Sequence, residues 1–288
     1  MRLLVLGTAA GGGVPQWNCG CAGCAAARAE PALRRRHASI AVEAGGRWYV
    51  VNATPDITEQ IEECAIPRRG GAREGPVAGV LLTDAELDHT LGLFRLREAP
   101  ELRIAATATV RAALESGPGV QRVLAPYTTL TWTDLPASFG TLDVSAVPVS
   151  DKRPRYAAGT GGDGWVVALR VRDRRDGRTV VYAPCLAAWP DELDRAVREA
   201  DCVFVDGTFW DDDEPRRAGI SDRTATAMGH LPIAGPRGTL QRLAGGRARC
   251  LYTHLNNTNP LIVPDADEHR ALAAAGAEVA RERVVIEP

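Results

Sequence analysis

The chain has 288 residues, 45% of them hydrophobic and 24% charged, a composition that excludes intrinsic disorder, collagen and coiled coil. Its 34 basic and 36 acidic residues leave a formal net charge of -2, so no overall field recruits nucleic acid or an anionic membrane surface. No run approaches the roughly 18 uninterrupted apolar residues of a membrane span, which favours small-molecule or peptide chemistry in the cytoplasm.

Met1-Arg2-Leu3-Leu4-Val5-Leu6-Gly7 has the charge and apolarity of a secretory leader, but the apolar run ends almost at once in a glycine-rich turn. It predicts a first buried strand, Arg2 to Leu6. The following Gly7 to Gly13 lacks the Gly-Lys-Ser/Thr ending of a phosphate loop, and Pro15 interrupts any helix after it. These glycines read as a place where the backbone passes close to a site. Pro15-Gln16-Trp17-Asn18 offers a wall for an aromatic substrate, unless Trp17 simply packs.

Cys19, Cys21 and Cys24 then place three soft thiolates on one tight loop, which suits tetrahedral Zn²⁺; buried or redox-active thiols are the alternative. Cys64, Cys185, Cys202 and Cys250 fall singly in apolar runs and read as core residues.

Short runs rich in Val, Ile and Leu, punctuated by Gly, Pro and Asp, predict further strands. They are Ser39 to Val42, Arg47 to Val51, Gly79 to Leu82, Arg103 to Ala106, Thr129 to Thr131, Leu142 to Val149, Trp165 to Arg172, Thr179 to Ala183, Cys202 to Asp206, Arg249 to Thr253 and Arg283 to Ile286. Helices are expected at Ile57 to Glu63, capped by Asp56, and at His89 to Arg97, Ala108 to Ser116, Pro190 to Ala200, Leu240 to Leu243 and Glu268 to Ala275. Strands with helices between them predict a layered α/β sandwich. No repeat of 20–50 residues is present. The Gly/Arg-rich stretches Pro67 to Gly75 and Ala157 to Gly164 read as surface loops, so a single domain over 1–288 is expected.

The chemistry concentrates at strand ends. The strand ending at Leu82 runs into Asp84, Glu86, Asp88 and His89, three carboxylates that would repel one another without a cation. A second strand ends at Asp206, a third at His254, and His230 sits in a turn between them. Singly, each reads equally well as a helix cap, a turn acceptor or a packed imidazole. Together, two histidines and carboxylates form a set that binds iron with positions left open for substrate. His37 and His269 lie in charged contexts and read as solvated.

Gly7 to Cys19, Asn52 to Ile57, Leu82 to His89, Asp206 to Trp210, Gly229 to Ile233 and His254 to Pro260 together resemble the metallo-β-lactamase superfamily, and within it the pyrroloquinoline quinone biosynthesis branch. The resemblance implies a four-layer αββα sandwich. It also implies an active-site metal held by Asp88, His89, Asp206 and His254. Asp84 and Glu86 stand where the superfamily has the first two histidines of its metal loop, and Ser150 stands for another, so one of the two usual metal positions has lost its imidazoles. The implied activity is an Fe(II)- and O₂-dependent hydroxylase acting on the tyrosine ring of a precursor-derived peptide or dipeptide. Asp84 and Glu86 would then be free for substrate contact or proton transfer, and His230 would be a general acid/base.

By the same resemblance, Asn257 completes the structural zinc site of Cys19, Cys21 and Cys24. Cys185 replaces a usual glycine, which leaves the ligands untouched but bears on the local turn and the pocket shape. The alternatives are a metal-dependent hydrolase and a non-catalytic carrier of the cofactor or its precursor. A homodimer is compatible with this reading; nucleic acid and membrane are not expected partners.

Overall fold

The computed structural model describes residues 1–68, 71 and 74–288. Part of the expected Pro67 to Gly75 loop therefore lies outside the described residues. Six strands come first: β1 (Arg2–Gly7), β2 (Ser39–Ala44), β3 (Arg47–Val51), β4 (Val77–Leu81), β5 (Glu101–Ala106) and β6 (Thr129–Asp134). The next seven are β7 (Ala137–Phe139), β8 (Leu142–Ser150), β9 (Val166–Asp173), β10 (Thr179–Ala183), β11 (Cys202–Asp206), β12 (Arg249–Thr253) and β13 (Ala277–Val279). The last, β14 (Val285–Ile286), returns to the first sheet, whose order is β14-β1-β2-β3-β4-β5-β6; the second runs β13-β12-β11-β10-β9-β8-β7.

Side chains alternate across each strand, and this alternation builds the layers. Leu3 and Val5 of β1 share a core with Val167, Leu169, Tyr182 and Phe204 of the second sheet. Leu4 and Leu6 face the other way, onto Ile57 and Ile61 of the helix Ile57–Glu63. On the far side, the helix Asp191–Glu199 buries Leu193, Ala196 and Val197, spaced to form one apolar stripe. Asp191, Glu192 and Asp194 in its first turn and Arg198 in its last complement the helix dipole. Two sheets face to face with helices outside give the α/β sandwich that the sequence predicts. No helix among the described residues is long and apolar enough to cross a membrane.

Several expectations change. The helix expected over His89 to Arg97 is two pieces, an α-helix at Leu87–Thr90 and a 3₁₀ segment at Leu91–Leu96. A helix not expected, Ala22–Ala29, follows the cysteine loop; the Cys21 sulfur caps it by accepting from the Cys24 amide. Asp56 does not cap its helix with its side chain. It turns instead to His37, whose Nδ1 lies 3.1 Å from Asp56 Oδ1 and whose Nε2 lies 3.3 Å from the Gly11 carbonyl, so His37 is tied into the fold rather than solvated. His269 likewise places Nε2 3.1 Å from the Val263 carbonyl.

The topology brings the polar strand ends together. β3 to β6 are parallel neighbours, as are β10 to β12, where Ala183 pairs with Val205 and Asp206 with Thr253. The carboxyl ends of parallel strands open onto one crevice, the usual seat of a site in α/β layers.

Candidate metal centre

The first arm is the loop after β4. Thr83, Asp84 and Ala85 are buried, and the Thr83 amide donates to Asn52 Oδ1 at 3.0 Å. Asp84 Oδ1 accepts from the Glu86 amide at 2.9 Å, and its Oδ2 accepts from Thr83 Oγ1 and pairs with His89 Nδ1, each at 2.7 Å. A carboxylate can only accept, so His89 carries its proton on Nδ1 and aims the Nε2 lone pair away from Asp84. That Nε2 is buried and has no hydrogen-bond partner. Burial pushes the His89 imidazole down, but Asp84 and Asp88 outweigh it and raise the ring to about 9. The pocket thus favours positive charge at Nε2, the place a metal ion would take.

Asp88 and His254 form the second arm. Asp88 Oδ2 lies 3.7 Å from His89 Nε2 and 3.5 Å from His254 Nε2. Burial would raise the Asp88 carboxyl, yet the neighbouring imidazoles, His89 first, hold it far below the usual carboxylate range. His254 follows β12 in the left-handed region, with φ of 58°. Its Nδ1 lies 2.8 Å from Thr208 Oγ1, and that hydroxyl donates to Asp206 Oδ1 at 2.5 Å. The hydroxyl therefore accepts from His254 Nδ1, and Nε2 of His254 is the free lone pair. Gly11 lets the amino-terminal loop reach this place: a Cβ there would sit 3.2 Å from Asp88 Oδ2.

Asp206, expected among the ligands, has both oxygens committed to the protein. Oδ1 accepts from the amide and hydroxyl of Thr208, and Oδ2 accepts from the Leu186 amide and from His230 Nδ1, each at 2.8 Å. It orients the imidazoles and the Leu186 backbone from behind. Donor atoms of Asp206, His230 and His254 lie within 4.8 Å of one another, a cluster that these hydrogen bonds hold together. His230 is buried, and its ring stacks on that of His254 with centroids 5.8 Å apart. Asp84, expected to be free for substrate, is likewise spent on His89. Glu86 is half-buried, with Oε1 3.8 Å from Lys152 Nζ, and burial raises its carboxyl. Ser150 Oγ accepts from the Lys152 amide at 3.1 Å.

Cys185 is the residue that the sequence reading missed. Expected in the core, it stands just beyond β10, half-buried, with Sγ 3.7 Å from His254 Nε2. Donor atoms of His89, Cys185 and His254 all lie within 4.8 Å of one another. The sequence signal was available, since Cys185 follows a strand end as Asp84, Asp206 and His254 do.

A separate cluster joins Cys19, Cys21 and Cys24, whose sulfurs lie within 4.8 Å of one another. Burial pushes the Cys21 thiol up to about 11, and the Cys24 charge adds to it. A cation among the three sulfurs would favour the Cys21 thiolate. Asn257 reaches them: its Nδ2 donates to Cys24 Sγ at 3.1 Å and its main-chain carbonyl accepts from Cys21 Sγ at 3.2 Å. The side-chain amide is placed by hydrogen bonding alone, and a half-turn would present Oδ1 to the same spot. Trp17, nearby in sequence, is 89% exposed and so does not pack.

A family model for the beta-lactamase superfamily domain matches residues 47–255. The chain is 38% identical to the coenzyme PQQ synthesis protein B of Ruegeria pomeroyi over 99% of each chain. It belongs to the PqqB family of the metallo-β-lactamase superfamily. The PqqB protein of Cupriavidus necator is 40% identical over 96% of each chain. The Zn(2+)-bound PqqB structure from Methylobacterium extorquens superposes over all of both chains with a TM-score of 0.89 at 33% identity. A diphosphatase of the PhnP family shares the fold, with a TM-score of 0.71 at 18% identity.

Proposed function

We propose that this chain acts in coenzyme PQQ synthesis as an Fe(II)- and O₂-dependent hydroxylase of the tyrosine ring in a precursor-derived peptide or dipeptide. The observation that carries this reading is the buried, partnerless His89 Nε2 facing Asp88 and His254. Hydrolases of this superfamily use two metals to activate water. Here Asp84 is spent on orienting His89, and Ser150 on the Lys152 amide. A bound Fe(II) would supply O₂ activation beside the phenol, with His89, His254 and Asp88 as its protein ligands. A structural zinc at Cys19, Cys21 and Cys24, with Asn257, is the second part of the reading.

The remaining residues position substrate and move protons. His230 has Nδ1 committed to Asp206, which leaves Nε2 as an acceptor for the ring proton lost when aromaticity is restored. Burial raises the Glu86 carboxyl, and Lys152 Nζ stands 3.8 Å from it. Phenol, O₂, two electrons and two protons give catechol and water, so a reductant must come from outside the chain.

The test is aerobic incubation of the Fe(II)-loaded protein with a tyrosine-containing dipeptide and a reductant, following O₂ uptake and product mass. Catechol formation that stops under anaerobic conditions is expected. Cleavage of the dipeptide without O₂ would replace the reading by the hydrolase alternative.

A further inference from the structure

We propose that Cys185 Sγ is a ligand of the same metal as His89 and His254, which makes the centre a mixed nitrogen and thiolate site. This rests on the metal reading above and adds a donor to it. For tetrahedral ligands at about 2.0 to 2.3 Å from a metal, neighbouring donors stand about 3.3 to 3.8 Å apart. Cys185 Sγ to His254 Nε2 is 3.7 Å, inside that window, and donor atoms of His89, Cys185 and His254 all lie within 4.8 Å of one another. The buried His89 Nε2, without a partner, independently marks the same spot.

The backbone fixes the thiol there. The Leu186 amide donates to Asp206 Oδ2 at 2.8 Å, and the Leu186 carbonyl accepts from the Leu231 amide at 2.6 Å. Asp206 thus anchors the turn that presents Cys185. On binding, the S–H bond breaks, a sulfur–metal bond forms and the proton leaves to solvent.

The added ligand changes what the centre can do. Two imidazoles and a thiolate would fill three of the four positions of a zinc ion and leave one for the Asp88 carboxylate or water. An ion that takes six ligands would keep three positions for O₂, substrate or Asp88. Cys185 therefore sets how many positions of the centre stay open.

The experiment is cobalt(II) titration of the full-length protein, comparing the parent with Cys185→Ser. The readouts are the near-ultraviolet thiolate-to-cobalt absorption and the bound cobalt. Cys19, Cys21 and Cys24 contribute alike to both proteins, so the difference between spectra reports Cys185. The variant should lose a discrete part of the band and bind the active-site cobalt at least about tenfold more weakly. His89→Ala, with circular dichroism confirming its fold, should lose the same part of the band together with that equivalent of cobalt. Superimposable spectra of the parent and Cys185→Ser at equal cobalt content would overturn the proposal and leave the metal reading intact. Unchanged cobalt content in His89→Ala would overturn both.

Discussion

Asp84 Oδ2 stands 2.7 Å from His89 Nδ1, and this contact fixes which imidazole nitrogen faces the crevice. A carboxylate behind a metal-facing histidine sets its tautomer, its ring angle and its basicity. Asp84→Asn should therefore keep the fold and weaken metal binding about 10- to 100-fold. Chelator competition gives the affinity, and equal affinity in variant and parent would refute the orienting role.

Asp88→Ala and His254→Ala remove candidate ligands. Each should cost one equivalent of metal, while the equivalent held by Cys19, Cys21 and Cys24 stays. Metal content after reconstitution and desalting decides this, and two unchanged equivalents would count against the assignment.

Cys21→Ser should release the zinc of the cysteine cluster and lower the melting temperature. Binding free energy of a structural metal is folding free energy, and serine keeps the cap that the Cys21 sulfur gives the Ala22–Ala29 helix, so the change isolates the metal. Unaltered zinc content would remove the cluster as a metal site.

Glu214 provides a pH test. It is buried, accepts from the Trp210 amide at 2.5 Å and from Thr258 Oγ1 at 2.6 Å, and burial pushes its carboxyl from 4.5 to about 7. A raised folded-state value means a contribution fully present below about 4.5 and lost as pH rises through about 7. At one pKa unit per 1.36 kcal/mol, ionisation costs about 3 kcal/mol. Glu214→Gln cannot ionise, so its stability relative to the parent should improve across that window and level off above it. Parallel denaturation curves from pH 5 to 8 would refute this.

Much of the fold was legible because its strands are short, apolar and punctuated by Gly, Pro and Asp. β3, β10, β11 and β12 begin and end where their residues predict. β7 and β13 were not legible: each has three residues, too few for alternation to register, and each is held at a sheet edge by pairing with β8 or β12. The helix at Ala22–Ala29 was hidden behind cysteines that draw attention to their chemistry, although its alanines favour helix.

In the site, residue types singled out Asp84, Glu86, Asp88, His89, Asp206 and His254. They could not say which carboxylates face the crevice. Asp84 and Asp206 lie at strand ends while Asp88 lies in the helix Leu87–Thr90, and only the hydrogen bonds from His89, His230 and the Leu186 and Thr208 amides show that the first two are turned inward. Cys185 was misread for the converse reason, since an apolar neighbourhood in sequence does not reveal where a turn points a side chain.

His254 and Asn257 sit on one short segment after β12, the first facing the histidine crevice and the second facing the sulfurs of Cys21 and Cys24. The two clusters therefore share a stretch of main chain, and ordering that stretch at one end prepares it at the other. Loading either cluster should tighten the other, by the same factor in both directions.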